Sequence, residues 1–523
     1  MACTTLLVGK KATNDGSTLI ARNEDCENGT FNAKSMVCVE AADQPRTYTG
    51  VTSHLTIELP DNPLRYVCTP NTDPAAGVWG EAGINAANVS ITATETISTN
   101  ARVLGADPLV AYRPASGKPG DAGYRPEQPG GIGEEDLVTI LLPYIRSAKE
   151  GVERMGSLLE QYGTYEMNGV AFGDVDDIWY IETVGGHHWI ARRVPDDCYV
   201  AQPNRLGIDY FDLRDALGEQ HDFMCSKDLA SWMAANHLDV TMGDGAGQAG
   251  ELVEGVPAVF NPRQAFGSYT WLDQVYNNPR AWYMCKVLNG DSSDFCGADP
   301  KYGPESFDIP WCFKPAAKIS VMDVKNLLSS TYDGTVYDPY GLQGTEESRH
   351  RFRDIGINRT CECSVLQIRP YAPAAARGVQ WVAFGSGPFN TAIAMYANVR
   401  DIPAYLDTSL EVSTDSFYWT NRLVAALADP EYFDNMEAIA GYQQQTLADG
   451  YAALAATDAE LQQMAQQKGL NLDAMDSADV MAALEASNEA LAEKVRQANV
   501  QLLDSVLFTR SLNMKNAFGS NDH

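Results

Sequence analysis

CTTLLVGKKATNDGSTLIARNED, residues 3–25, holds two apolar, β-branched runs, Cys3–Gly9 and Ser17–Arg22, around the turn signal Thr13-Asn14-Asp15-Gly16. The pattern predicts a β-hairpin whose first strand has a cysteine at its head. With the turn centred near Asn14-Asp15, antiparallel counting sets residue 3 opposite about position 26. That lies beside Asp25 and one sheet repeat from Arg22. In a regular strand, period-2 geometry sends residues 22 and 25 to opposite faces. For both to reach Cys3, the backbone would have to kink or leave the sheet at Asn23-Glu24.

An ordinary thiol has a pKa of about 8.5 and needs help to act as a nucleophile at neutral pH. Histidine is the usual helper, yet the chain has seven, and none has a clear catalytic context. His187 and His188 fall on a hairpin tip, where a strand would send them to opposite faces. A cysteine near the chain head has a second option. If the residues before it are removed, its own α-amino group can act as general base.

Composition narrows the classes. The 523 residues are 45% hydrophobic and 20% charged, and 38 Lys+Arg against 69 Asp+Glu give a net charge of −31. Such a surface repels phosphate backbones and anionic lipid, so neither nucleic acid nor membrane is an expected partner. No segment has the ~18 apolar residues of a membrane span, and no secretory leader is evident. Eleven scattered cysteines do not suggest a disulfide framework, so a mostly reduced, cytoplasmic protein is expected.

Residues 1–210 read mainly as strands and turns. GINAANVSITATE (83–95) is β-rich, and DDIWYIETVGGHHWIARRV (176–194) predicts a second hairpin with Gly185-Gly186 at its tip. A helix is expected from GEEDLVTILL onward, with Glu134 and Glu135 suited to its N-terminal dipole. SVLQIRP and VQWVAFG, further on, predict strands that extend the same sheet system. From about 420 the Ala, Gln, Glu and Leu content predicts long helices, one of them starting near Ser477. Two regions are expected: a catalytic unit over 1–420, with insertions, and a helical region over 421–523 packed on it.

The opening stretch resembles that of the bacterial cysteine dipeptidases of the N-terminal-nucleophile (Ntn) hydrolase superfamily, the dipeptidase A family. Secernins and the penicillin V acylase and bile salt hydrolase enzymes are similar at greater distance. The resemblance continues through GVWGEAGINAANVSITATET (77–96), GHHWIARRVPDDCYVAQPNRLGI (186–208), YNNPRAWYMCKVLNG (276–290) and GINRTCECSVLQIRPYAP (356–373). It implies an α+β fold, a four-layer αββα sandwich, with metal-independent and cofactor-free cleavage of dipeptides by a homo-oligomer.

Carried over position by position, the resemblance makes Cys3 the nucleophile, with Arg22 and Asp25 beside it. It assigns Asn88 and Asn204 to the oxyanion region and gives Arg280 as a later active-site arginine. Cys3 sulfur would attack the peptide carbonyl, and the α-amine, held by Asp25, would relay the proton. Arg22 would favour thiolate. The chain departs from the simplest pattern in having Met1-Ala2 before the cysteine. A free amine on Cys3 therefore requires removal of both, and the chain as translated is expected to be a weakly active precursor.

Plainer readings exist for every position. Cys3 could be a small core side chain, Arg22 and Asp25 a strand-end ion pair, the asparagines turn residues, and Arg280 a surface charge. Cys361 and Cys363 form half a metal site with nothing to complete it. HExxH, P-loop and G-x-S-x-G motifs are absent from the sequence. The rival functions are an acylase of N-acyl amides, needing an apolar trough, and a non-catalytic, secernin-like interaction protein. A dipeptide pocket should instead offer an unpaired acid and a basic group.

Overall fold

The computed structural model describes residues 2–30, 32–240, 250–253 and 256–517. The opening hairpin forms as β1 (Ala2–Val8) and β2 (Thr18–Asp25), and Cys3 pairs with Glu24. The turn pivots one residue earlier than expected because its loop contains two folds. Ala12 N–H and Thr13 N–H close back on Gly9 O, and Ser17 N–H donates to Asp15 Oδ1. The shift matters for the face each residue takes. Arg22 and Glu24 share the face of Cys3, while Asn23 and Asp25 take the other. β2 is regular to its end, without the kink that a joint approach of Arg22 and Asp25 would need.

β3 (Thr360–Ile368) pairs with the free side of β2, with a register shift between Thr360 and Glu362. The first sheet is completed by Gly378–Phe384 and Ile393–Tyr396 beyond β3, and by Tyr199–Gln202 and Cys312–Phe313 beyond β1. Its central strands β2 and β3 are buried on both faces, as strands covered on both sides are. An eight-stranded antiparallel sheet, with the hairpin Ala82–Asn85 and Ser90–Glu95 near its middle, packs against it. Ile20, on the face of Arg22, lies against Gly173 of that sheet.

α1 (Glu134–Leu141) and α2 (Ala148–Tyr162) cover the outer face of the second sheet. α3 (Asn278–Leu288) and α4 (Val321–Leu328) cover the first sheet, along with the C-terminal α5 (Phe417–Ala428), α6 (Tyr432–Lys468) and α7 (Ala478–Leu512). The layers run helix, sheet, sheet, helix, so the chain is an αββα sandwich. Side chains tie α6 and α7 to the first sheet. Asn488 accepts from Tyr396 N–H and donates to Tyr396 O, and Arg369 pairs with Asp458 at 2.8 Å.

Two expectations need correction. The single helix expected after Gly133 is two, because Pro143 interrupts it and Ser147 caps the second, accepting from Glu150 N–H. His187 and His188 do not diverge. They lie on the hairpin tip, outside the flanking strands, and both Nδ1 atoms meet Asp107, at 3.2 and 2.7 Å. Cys361, one of the two cysteines of TCECS, forms a disulfide with Cys26. No helix among the described residues is long and apolar enough to cross a membrane.

Candidate active site

Cys3 is fully buried between the sheets, and its surroundings are charged. Arg22 Nη2 lies 2.8 Å from Cys3 Sγ. Alternation along β2 brings it there, and two carboxylates hold it: Glu81, just before the strand Ala82–Asn85, and Glu134, the first residue of α1. All three side chains are buried. Burial works against the Arg22 charge, but Cys3, Glu134, Glu81 and Glu24 outweigh it and hold its pKa well above the usual value. The guanidinium is a fixed positive charge at the sulfur.

The cluster continues through Lys34, which pairs with Glu24 at 2.8 Å and with Glu81 at 3.7 Å and donates to Asn71 Oδ1 and Trp79 O. Glu362, opposite Glu24 in the β2–β3 pairing, is also buried. Four carboxyls thus surround two cations. Burial and the charge of Glu81 push Glu24 well up, and burial pushes Glu362 up to about 7. Burial also opposes ionised Glu81, but Arg22 and Lys34 outweigh it and hold that carboxyl below its usual range.

The backbone is strained to achieve this. Trp79 and Glu81 have φ of 46° and 58°, in the left-handed region, which costs a non-glycine residue about 1–2 kcal/mol. The turn so formed aims the Glu81 side chain inward at Arg22.

A second group gathers at the main chain of Cys3. Cys3 N–H donates to Asn204 Oδ1 at 3.2 Å. Arg280, fully buried in the first turn of α3, donates to Cys3 O at 2.6 Å and to Thr4 Oγ1, Asn204 Oδ1 and Asn277 Oδ1 at 2.8 Å. Burial, aided by nearby Arg353, pushes its pKa down to about 9. Arg280 therefore brackets the Cys3 backbone rather than standing on the surface. The loop bearing Asn204 is anchored by Glu182, which accepts from Gly207 N–H at 2.6 Å and whose carboxyl is pushed up to about 8 by burial.

Asp25 lies opposite Ala2, and its two oxygens receive Thr360 Oγ1 and Arg353. The Cys26–Cys361 disulfide locks the residue that follows β2 to the residue after Thr360. A cavity of about 270 Å³ opens here, with Asn204, Tyr276, Asn277, Arg359, Glu27 and Cys26 in its wall. Larger cavities, of about 400 and 880 Å³, lie elsewhere and touch none of the candidate residues.

The structure thus brings Arg22, Asn204 and Arg280 to Cys3 and places Asp25 at the strand end. Asn88 is different: it is not brought to Cys3. It sits in the Asn85–Ser90 turn with φ of 57°, donating to Ala374 O at 2.9 Å and accepting from Gly378 N–H at 3.1 Å. Gly378 pairs with Ile368, which pairs with Thr18, while Cys3 pairs with Glu24. The six-residue offset along β2 is about 20 Å. Asn88→Ala is expected to lower stability by about 1–3 kcal/mol, from the stranded Gly378 amide and the left-handed backbone. It should leave kcat within about twofold of the parent. Thermal unfolding and steady-state rates check this.

Glu81, Glu134, Arg353 and Thr360 had no separate signal in the sequence. GEED reads as helix-dipole charge, and its three acids are buried instead. Glu134 serves Arg22, Glu135 accepts from Thr52 N–H at 2.8 Å, and Asp136 accepts from Gly133 N–H at 2.8 Å.

Comparison with known proteins gives a consistent result. Residues 2–445 match the model for peptidase family C69. A protein named dipeptidase from Bifidobacterium longum is 49% identical over the full length of both chains. One named probable dipeptidase A from Streptococcus pyogenes is 47% identical, also over the full length of both. Among solved structures, a mutant of the conjugated bile acid hydrolase from Clostridium perfringens is similar over 78% of this chain and 95% of its own. It is 12% identical with a TM-score of 0.32, a likeness too slight to carry an argument.

Proposed function

The chain belongs to peptidase family C69, and from that membership and the surroundings of Cys3 we propose that it is a cysteine dipeptidase working as an N-terminal nucleophile. Residues 1 and 2 are removed first. Ala2 pairs with Asp25 along the strand, and a free amine on Cys3 requires the loss of residues 1 and 2. Met1 itself lies outside the described residues.

The freed α-amine of Cys3 then accepts the thiol proton, with Asn204 Oδ1 as its hydrogen-bond partner and Asp25 as nearby negative charge. The sulfur attacks the dipeptide carbonyl, forming a C–S bond. The tetrahedral intermediate expels the C-terminal amino acid, whose leaving nitrogen takes the proton back. Water hydrolyses the resulting thioester, returning its proton by the same amine. Arg22 supports the thiolate, and Asn204 supplies a donor to the tetrahedral oxygen; one such donor is worth about 2.7–4 kcal/mol.

One observation carries this reading: the buried Arg22 guanidinium lies 2.8 Å from the Cys3 sulfur. A structural cysteine needs no such neighbour. The test pairs intact-mass analysis of the purified protein with a substrate panel of dipeptides, tripeptides and N-acyl amides. Turnover confined to dipeptides, and rising with the fraction that begins at Cys3, is the expected result. Full turnover by protein that retains Ala2 sinks the maturation step, and preference for acyl amides sinks the dipeptidase assignment.

A further inference from the structure

We propose that Arg359 and Glu27 are the specificity residues of this site: Arg359 binds the C-terminal carboxylate of the dipeptide and Glu27 binds its N-terminal ammonium. The inference rests on the dipeptidase reading and adds the groups that restrict it to substrates two residues long.

Both side chains line the 270 Å³ cavity whose wall includes Asn204, the residue bonded to Cys3 N–H. They are the one acid and the one base among its lining residues, and Leu272 is the only large aliphatic. That composition does not suit an acyl chain. It suits a zwitterion, whose terminal charges lie about 7 Å apart in an extended dipeptide.

Neither charge has an ion-pair partner among the described residues. Among the described residues no carboxylate pairs with Arg359, although acids outnumber bases by 31 in this chain. Its Nη2 donates to Tyr276 Oη at 2.9 Å, and its Nε is buried without a hydrogen-bond acceptor. Glu27 is exposed, its backbone carbonyl accepts from Thr30, and its carboxylate makes no ion pair among the described residues. An arginine left unpaired in so acidic a protein is available to a ligand carboxylate.

Position makes the availability useful. Tyr276, which receives Arg359, also receives Arg280 Nε on its carbonyl oxygen at 2.8 Å, and Arg280 holds Cys3 O. Cys26 N–H donates to Arg359 O at 3.1 Å, and the Cys26–Cys361 disulfide fixes both segments. The two charges are thus carried on backbone tied to the nucleophile. A tripeptide would place its carboxylate one residue, about 3.5 Å, beyond Arg359.

The test compares a dipeptide with its C-terminal amide and with its N-acetyl form, for the parent protein, Arg359→Ala, Arg359→Gln and Glu27→Gln. The parent should prefer the free dipeptide to its amide in kcat/KM by about 10- to 100-fold. Arg359→Ala and Arg359→Gln should erase that preference, mainly through KM, and leave the amide rate within about threefold. Glu27→Gln should erase the preference over the N-acetyl form alone. Equal losses on dipeptide and amide overturn the inference and leave the dipeptidase reading standing. A parent enzyme that prefers N-acyl amides overturns both. Circular dichroism of each variant accompanies the kinetics. Should both Arg359 variants fail to fold, the parent's own amide and acetyl ratios decide: a ratio near one overturns the inference.

Discussion

Alanine at position 3 is expected to lower dipeptide hydrolysis by about 10⁴-fold or more while the protein remains folded. The size follows from the loss of the attacking atom itself, because the remaining groups can only bind and polarise the substrate. Folding should survive because Arg22 keeps Glu81 and Glu134 as partners after the sulfur is gone. Its charge is never left uncompensated, which is the usual reason a buried substitution fails. The same variant reports on maturation. If Cys3 sulfur drives its own release, Cys3→Ala will retain Ala2 in intact-mass spectra; if a separate peptidase trims the chain, Ala2 will be absent. Wild-type turnover in Cys3→Ala would end the nucleophile assignment whichever mass is found.

Much of this site could be read from the opening 25 residues, for a physical reason. A hairpin is local, and its alternation fixes which side chains share a face, so Cys3 and Arg22 could be connected from spacing alone. The register was harder. It depended on how residues 9–17 fold, and a one-residue shift of the pivot moved the partner of Cys3 to Glu24. Asn204 and Arg280 came from resemblance, because nothing local in QPNRLG or NNPRAW says that a loop and a helix start will meet at the Cys3 main chain.

Asn88 shows the limit of that transfer. GINAANVS has the right residue type, but its turn lies at the far end of the strands, where it clasps Gly378. Glu81 and Glu134 show the complementary failure. Acids beside glycines or at a helix start are ordinarily solvated, and only the stacking of two sheets and a helix buries them. Arg353, within a run rich in charge, reads as surface until Asp25 is placed next to it. Long-range pairing of buried charges leaves no periodic trace in a sequence.

Arg22 should prove to be the second most sensitive position, and two substitutions there separate its roles. Arg22→Met strands Glu81 and Glu134 in the interior and is expected to cost about 3–5 kcal/mol of stability, enough to threaten folding. Arg22→Lys keeps a cation but loses the planar fork that reaches Cys3 Sγ, Glu81 and Glu134 together. It should fold and yet lose about 10- to 100-fold in kcat/KM at neutral pH. The direction of its pH dependence follows from the charge at the sulfur. A nearby guanidinium favours thiolate over thiol, so displacing it raises the thiol pKa. The acid limb of kcat/KM should move upward by about 1–2 pH units, and part of the lost rate should return in alkaline buffer. Glu134→Gln, which loosens Arg22 without removing it, should move the limb in the same sense by less. An Arg22→Lys protein with the parental rate and an unmoved acid limb would reduce Arg22 to a structural tie and leave the thiolate without its support.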